Sequence, residues 1–171
     1  MKGQGSHGFT LIELVLGIVV LGVVSVVSIP LFVNVGSGKV DAAARKVLSD
    51  LTYSKQLARN RSGVYGISFN AATNTYTVHQ YDPTTGTSTT VTDPLTQQPM
   101  VVDFSQIPGV TGTDIQSATF GGTSIVRFPS SGIPQGGNSV NLAVAGSVVL
   151  ALGGSSRSVV VQPGTGEVSV Q

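Results

Sequence analysis

One segment near the amino terminus constrains this chain more than any other. From Leu14 to Gly38 no residue carries a charge, most positions are Val, Leu, Ile or Gly, and Lys39 is the first basic residue after the run. About 20 apolar residues at 1.5 Å rise cross a hydrocarbon core of about 30 Å, so the stretch is long enough to span a bilayer as one helix. At its head stands a carboxylate, Glu13, preceded by the short polar leader Met1–Gly8 with a single basic residue, Lys2. An acidic side chain inside a membrane segment costs roughly 2.5–3.5 kcal/mol, which marks Glu13 as a functional candidate. The plainer alternative is a carboxylate at the cytoplasmic interface that snorkels into water.

The string Gly8-Phe9-Thr10-Leu11-Ile12-Glu13-Leu14 resembles the class III signal of type IV prepilins and type II secretion pseudopilins. It combines a short basic leader, glycine before an aromatic residue, and glutamate at the fifth place of the mature chain. The resemblance implies that residues 1–8 are a leader, cut between Gly8 and Phe9 by a prepilin peptidase that also methylates the new amine of Phe9. An ordinary secretory signal has its apolar core before the cleavage site. Here the apolar segment follows the cut, so residues 9–35 are expected to stay as a transmembrane helix and assembly segment. The amine of Phe9 would then be a cation one helical turn from Glu13, or at the end of a neighbouring subunit's helix. At low dielectric such a pair is worth far more than in water. In the family this pairing sets the register as subunits add to a filament.

Gly22 and Pro30 fall where the family often has a glycine and a proline. Proline removes an i to i−4 hydrogen bond, glycine loosens the backbone, and Ser25 and Ser28 can bond back to carbonyls. The helix is therefore expected to bend or melt over Gly22–Pro30 within a filament, an ordinary kinked anchor being the alternative. Gly17 and Gly22 are five apart, so they do not form a Gly-xxx-Gly face. By the positive-inside rule the amino terminus and Lys2 stay cytoplasmic and the rest crosses outward.

Beyond the anchor the 171-residue chain still has enough length for one compact domain with a core. Val40, Ala44, Val47, Leu51, Ser54 and Ala58 recur at spacings of three and four, with Leu48 and Leu57 widening the stripe. Residues 36–62 therefore read as an amphipathic continuation of the same helix, from about Thr10 to Arg61. Asp41, Lys46, Asp50 and Lys55 mostly take the other faces, Asp41–Arg45 is a favourable i,i+4 pair, and Gly63 is a candidate C-cap. From residue 63 to 171 the pattern is β-rich. Val64–Phe69 and Tyr76–Tyr81 alternate as a hairpin, and Asp82–Thr92 is a Thr-, Gly- and Pro-rich loop. Short strands are expected at Met100–Phe104, Ser124–Phe128, Val140–Val144, Val148–Leu152, Ser158–Val161 and Glu167–Val170.

Three further stretches, Ala58–Val64, Val126–Gly132 and Arg157–Val161 followed by Gly166-Glu167-Val168, resemble the GspH/FimT group of minor pseudopilins and minor type IV pilins. The resemblance implies the α+β lollipop of type IV pilins: one long amino-terminal helix, transmembrane then amphipathic, packed on an antiparallel β-rich domain. It also implies a minor pseudopilin of a type II secretion system, at the bacterial inner membrane in a single pass with a periplasmic domain. Extracted into a periplasmic pseudopilus driven by a cytoplasmic ATPase, such a subunit helps to export exoproteins. Its implied partners are the prepilin peptidase, major and minor pseudopilins, the inner-membrane assembly platform and membrane lipid. The alternative is a FimT/FimU-like minor type IV pilin that primes pilus assembly or aids DNA uptake. Residues 82–122 match nothing in the group.

Composition argues against other classes. Net charge is +1, and cysteine is absent, which excludes a disulfide framework and a thiolate metal site. His7 lies in the leader, so His79 is the single histidine of the expected mature chain. Hydrolytic or metal chemistry needs converging His, Asp, Glu or Cys, and His79 reads instead as an exposed or hydrogen-bonded strand residue. Asp82, Asp93, Asp103 and Asp114 lack the dense spacing of a calcium loop. No enzyme activity, metal or cofactor is expected. Lys39, Arg45, Lys46, Lys55, Arg59 and Arg61 form the one basic concentration, interleaved with Asp41 and Asp50, and read as a solvated helix surface. DNA is not an expected partner.

Overall fold

The structure, a computed structural model, describes residues 10–171, and of residues 26–35 the backbone alone. The chain divides into two units, residues 1–35 and 36–171. Helix α1 runs from Leu11 to Asn60. In the first unit the side chains from Leu11 to Ser25 are exposed on every face of the helix, Leu11 by 82% and Leu21 by 67%.

In the second unit the helix has one buried face. Val40, Ala43, Ala44, Val47, Leu51, Ser54 and Ala58 are fully buried, Leu57 nearly so, and Leu48 lies half-buried on the flank. That is the expected stripe at helical spacing, with one correction. Asp50 does not sit on an outer face: it is buried at 4% exposure. The helix ends in a Schellman arrangement, Gly63 N–H donating to the Ala58 carbonyl at 3.2 Å. The residue in the left-handed region is Ser62 (φ 49°) rather than the expected Gly63, which takes the next position.

Two antiparallel sheets complete this unit. The first has the order β3 (Ser88–Thr90), β2 (Thr75–Tyr81), β1 (Val64–Asn70), β6 (Ile125–Phe128), β7 (Gln135–Gly136), with β4 (Val101–Asp103) also paired to β2. The second has the order β10 (Val168–Val170), β9 (Ser155–Val161), β8 (Gly146–Leu152), β5 (Asp114–Thr119). Alternation puts Tyr65, Ile67 and Phe69 of β1 on the core side with Tyr76 and Val78 of β2 and Val126 and Phe128 of β6. From the second sheet come Val148, Leu150, Val159 and Val161, and the Phe69 and Phe120 rings stack at 5.9 Å.

The expected hairpin is β1–β2, and β4, β6, β8, β9 and β10 fall within two or three residues of expected strands. Val140–Val144 is not a strand: only Leu142 is buried there, while Val140 is 61% and Val144 70% exposed. The Asp82–Thr92 loop contains β3, and β5 and β7 were not expected. Long-range polar contacts fasten helix and loops to the sheets. Lys55 Nζ donates to the Thr165 and Gly166 carbonyls, and Lys39 Nζ to the Thr111 carbonyl. Asp41 does not pair with Arg45; it makes a 2.6 Å salt bridge with Arg157 of β9.

Candidate assembly site

The amino-terminal site is built from the first turns of α1. The Thr10 carbonyl accepts from the N–H groups of Glu13 (3.1 Å) and Leu14 (3.2 Å), and closes the first turn. Glu13 follows in that turn, where the partial positive charge of the helix end favours a carboxylate. Its side chain is exposed and has no ion pair or hydrogen bond among the described residues. Gly8 and Phe9, the expected cleavage and methylation positions, lie outside the described residues.

Helical structure continues through Gly22 and Pro30. A Cβ at Gly17 or Gly22 would meet nothing within 4 Å, so neither glycine is required by packing within the chain. Ser25 Oγ donates to the Leu21 carbonyl at 2.7 Å, the back-bond expected of it, while the side chains of Ser28 and Pro30 lie outside the described residues. Among the described residues no helix is long and apolar enough to cross a membrane. The expected span of residues 9–35 takes in Phe9 and the side chains of residues 26–35, which lie outside that description.

Away from the helix head, His79 sits half-buried on the outer side of the first sheet. Its Nε2 is 3.0 Å from Ser68 Oγ, its ring is 5.7 Å from that of Tyr81, and burial lowers its pKa below the ordinary histidine value. Gly66 pairs with His79 on one side and Arg127 on the other, so no side chain stands between the two. Arg127 lies over the Tyr81 ring at 4.2 Å and donates to Ser139 Oγ at 2.7 Å. Among the described residues no three His, Cys, Asp or Glu side chains converge to hold a metal ion. The turn aspartates instead organise backbone: Asp82 accepts from Thr84 N–H, Asp93 from Leu95 N–H and Asp103 from Ser105 N–H.

One polar cluster escaped the sequence reading. The buried Asp50 carboxylate accepts from Lys46 Nζ at 2.7 and 2.8 Å and from the Tyr76 hydroxyl at 2.7 Å. Lys46 and Asp50 are four apart, a visible signal, but the Tyr76 contact joins residues 26 positions apart.

Comparison with known proteins bears on the amino terminus by sequence and on the rest of the chain by fold. The prokaryotic N-terminal methylation motif matches over residues 4–29. By sequence, no curated protein matches. Two solved structures of the minor pseudopilin EpsH from the type II secretion system of Vibrio cholerae are similar. One has a TM-score of 0.58 at 12% identity, covering 78% of this chain and 96% of EpsH. The other has a TM-score of 0.54 at 14% identity, covering 78% and 94%. The type IV minor pilin FimU of Pseudomonas aeruginosa has a TM-score of 0.50 at 12% identity, covering 77% of this chain and 87% of FimU. At such identities the likeness speaks for the fold, and the motif speaks for the amino terminus. The chain thus joins a prokaryotic N-terminal methylation motif to an α+β fold similar to that of EpsH and FimU.

Proposed function

We propose that this chain is a minor pseudopilin, a structural subunit of the periplasmic pseudopilus of a type II protein secretion system. The observation that carries the reading is the start of α1, apolar and exposed on all faces from Leu11 to Ser25 and headed by a Glu13 whose side chain has no partner among the described residues. A helix hydrophobic all round needs a surrounding of lipid or of other helices, and both are what a subunit drawn from a membrane into a filament meets in turn. Cleavage between Gly8 and Phe9 by a prepilin peptidase, with methylation of the Phe9 amine, supplies the cation for Glu13. The helix is then held in the inner membrane, amino terminus cytoplasmic, with the domain of residues 36–171 in the periplasm. The likeness to EpsH is in keeping with type II secretion, and the likeness to FimU with a type IV pilus.

The test is deletion of the gene, comparing secreted proteins in the medium with surface motility and transformation in the same strain. Loss of exoproteins with motility and transformation intact is the expected result. The reverse pattern would move the protein to a type IV pilus as a priming minor pilin.

A further inference from the structure

A cleft of about 660 Å³ opens at one end of the first sheet, where the start of β1 meets strand β3 and the ends of β2 and β6. Its size lies within the range of small-molecule sites, roughly 300–1,000 Å³, and the proposed assembly role makes no use of it. Ser62, Gln80, Thr89 and Ser130 line it, all four exposed, and none has a side-chain hydrogen-bond partner among the described residues. Gln80 and Thr89 are directly opposed in the β2–β3 pairing, which sets an amide beside a hydroxyl. Ser62 takes φ 49° just beyond α1, a left-handed position that glycine fills without strain and serine does not. The serine keeps at the cleft a hydroxyl that glycine would give up, and backbone strain of this kind gathers at functional sites.

The walls are fixed in place. On one side Asp82 Oδ1 accepts from Thr84 N–H at 2.8 Å and from Thr85 N–H at 3.3 Å. Asp82 N–H donates to the Thr87 carbonyl and Gly86 N–H to the Asp82 carbonyl, both at 2.9 Å, so this turn is closed. On the other side Gly132 N–H donates to the Pro129 carbonyl at 2.8 Å. Tyr81, also in the lining, is 6% exposed and lies beneath the Arg127 guanidinium, 4.2 Å from the ring centre. Groups held in this way bind a ligand with little ordering cost.

The lining selects the chemistry of the ligand. Its one charged residue is Asp82, already engaged in the turn, and no Lys or Arg lines the cleft. Arg127 nearby is taken up by the Tyr81 ring and Ser139. A phosphate or another anion therefore finds no counter-charge. An acyl chain would leave the four polar side chains unpaired. Serine and threonine hydroxyls and the glutamine amide can each donate and accept, which suits a ligand whose own hydroxyls do both. Pro83 and Pro129 add apolar surface against which the C–H groups of a sugar ring can lie. An extended peptide fits less well, because β3, the sheet edge at the cleft, is three residues long and offers little to pair with. We propose that the cleft binds a short, uncharged oligosaccharide through Ser62, Gln80, Thr89 and Ser130. Carbohydrate binding here stands apart from the pseudopilin reading and would survive its failure.

The test is saturation-transfer NMR on the full-length protein in lauryldimethylamine oxide, a detergent without sugar. Chitotriose, maltotriose and tetra-alanine serve as probes. Transfer to at least one of the two sugars is expected: chitotriose alone would assign acetamido sugars, and maltotriose alone plain glucans. Gln80→Ala and Thr89→Val are each expected to weaken binding about fivefold, the worth of one hydrogen bond. Gln116→Ala, exposed on β5 away from the cleft, is expected to leave it unchanged. Ser62→Gly is expected to weaken binding while the thermal midpoint holds or rises, because the hydroxyl is lost and the backbone strain with it. A purely structural Ser62 would move the midpoint and leave the affinity alone. No transfer to either sugar from folded protein would overturn the proposal, as would binding that all three cleft variants leave at parental strength. Transfer to tetra-alanine and to neither sugar would replace the carbohydrate by a peptide.

Discussion

Asp50 is the residue at which local pattern and tertiary structure part company. A carboxylate at 4% exposure survives because Lys46 and the Tyr76 hydroxyl both donate to it, at distances of 2.7–2.8 Å. The partners contribute unequally. Lys46 is 41% exposed, so its share is screened and worth about 0–1 kcal/mol. Tyr76 is buried, and burial and the Asp50 charge together raise its pKa well above the usual tyrosine value. Tyr76→Phe should therefore cost about 1–3 kcal/mol. Asp50→Ala, which orphans the hydroxyl and opens a void, should cost about 3 kcal/mol. Urea melts of residues 36–171 in the intact chain should rank the losses Asp50→Ala, Tyr76→Phe, Lys46→Met; a Lys46→Met loss as large as that of Tyr76→Phe would show that the ion pair dominates. His79 gives a second test at this scale. Burial lowers its folded-state pKa below 6.5, so the unfolded chain binds the proton more readily. Its penalty is absent above pH 6.5, grows as pH falls from 6.5 to the lowered folded value, and is constant below that. His79→Gln should flatten the fall in thermal midpoint between pH 7.5 and pH 5, and an unchanged slope would assign that fall to other groups.

Among the elements, β1 is the most constrained, because it lies between β2 and β6 and pairs with both. At Gly66 the neighbouring strand comes so close that a Cβ would collide with the Val126 carbonyl oxygen and stand 2.9 Å from the Arg127 Cα. Gly66→Ala should therefore push β1 and β6 apart and destabilise the domain by about 1–3 kcal/mol, an overpacking cost. A melt within about 0.5 kcal/mol of the parent would show that the strands shift freely. The helix and the β1–β2 hairpin were legible because Val40–Ala58 and Val64–Tyr81 carry their own periodicities, 3.6 and 2. Strand β5 was not legible. Asp-Ile-Gln-Ser-Ala-Thr holds one buried residue, Ile115, and a bulge between Ile115 and Ser117 breaks the alternation. Nor was β3, whose Ser-Thr-Thr run is held by pairing to β2 rather than by any apolar face. Val140–Val144 misled in the other direction, since it alternates like a strand yet buries Leu142 alone. At the amino terminus, the N-terminal methylation motif over residues 4–29 was readable from local order in the chain.

For the whole molecule the question is what the exposed apolar helix and its carboxylate are for. If residues 1–8 are a leader cut after Gly8, then Gly8→Ala, a small addition at the scissile bond, should slow maturation. A denaturing gel would show the full-length precursor accumulating, and cutting at the parental rate would place the site elsewhere. Glu13 bears on the later step. A carboxylate in a membrane segment costs roughly 2.5–3.5 kcal/mol, so Glu13→Val should insert at least as well as the parent. Were the side chain only snorkelling at the interface, nothing further would change. If instead it neutralises the Phe9 amine of an incoming neighbour, its removal deletes a charge pair that is strong at low dielectric and that fixes the axial register. Glu13→Val should then leave the amount of protein in the membrane fraction unchanged while exoproteins disappear from the medium. Asp at the same position, one methylene shorter, should restore part of the export because it keeps the charge. Normal export by the valine variant would sink the pairing argument, and failure of that variant to reach the membrane would make Glu13 a determinant of insertion instead.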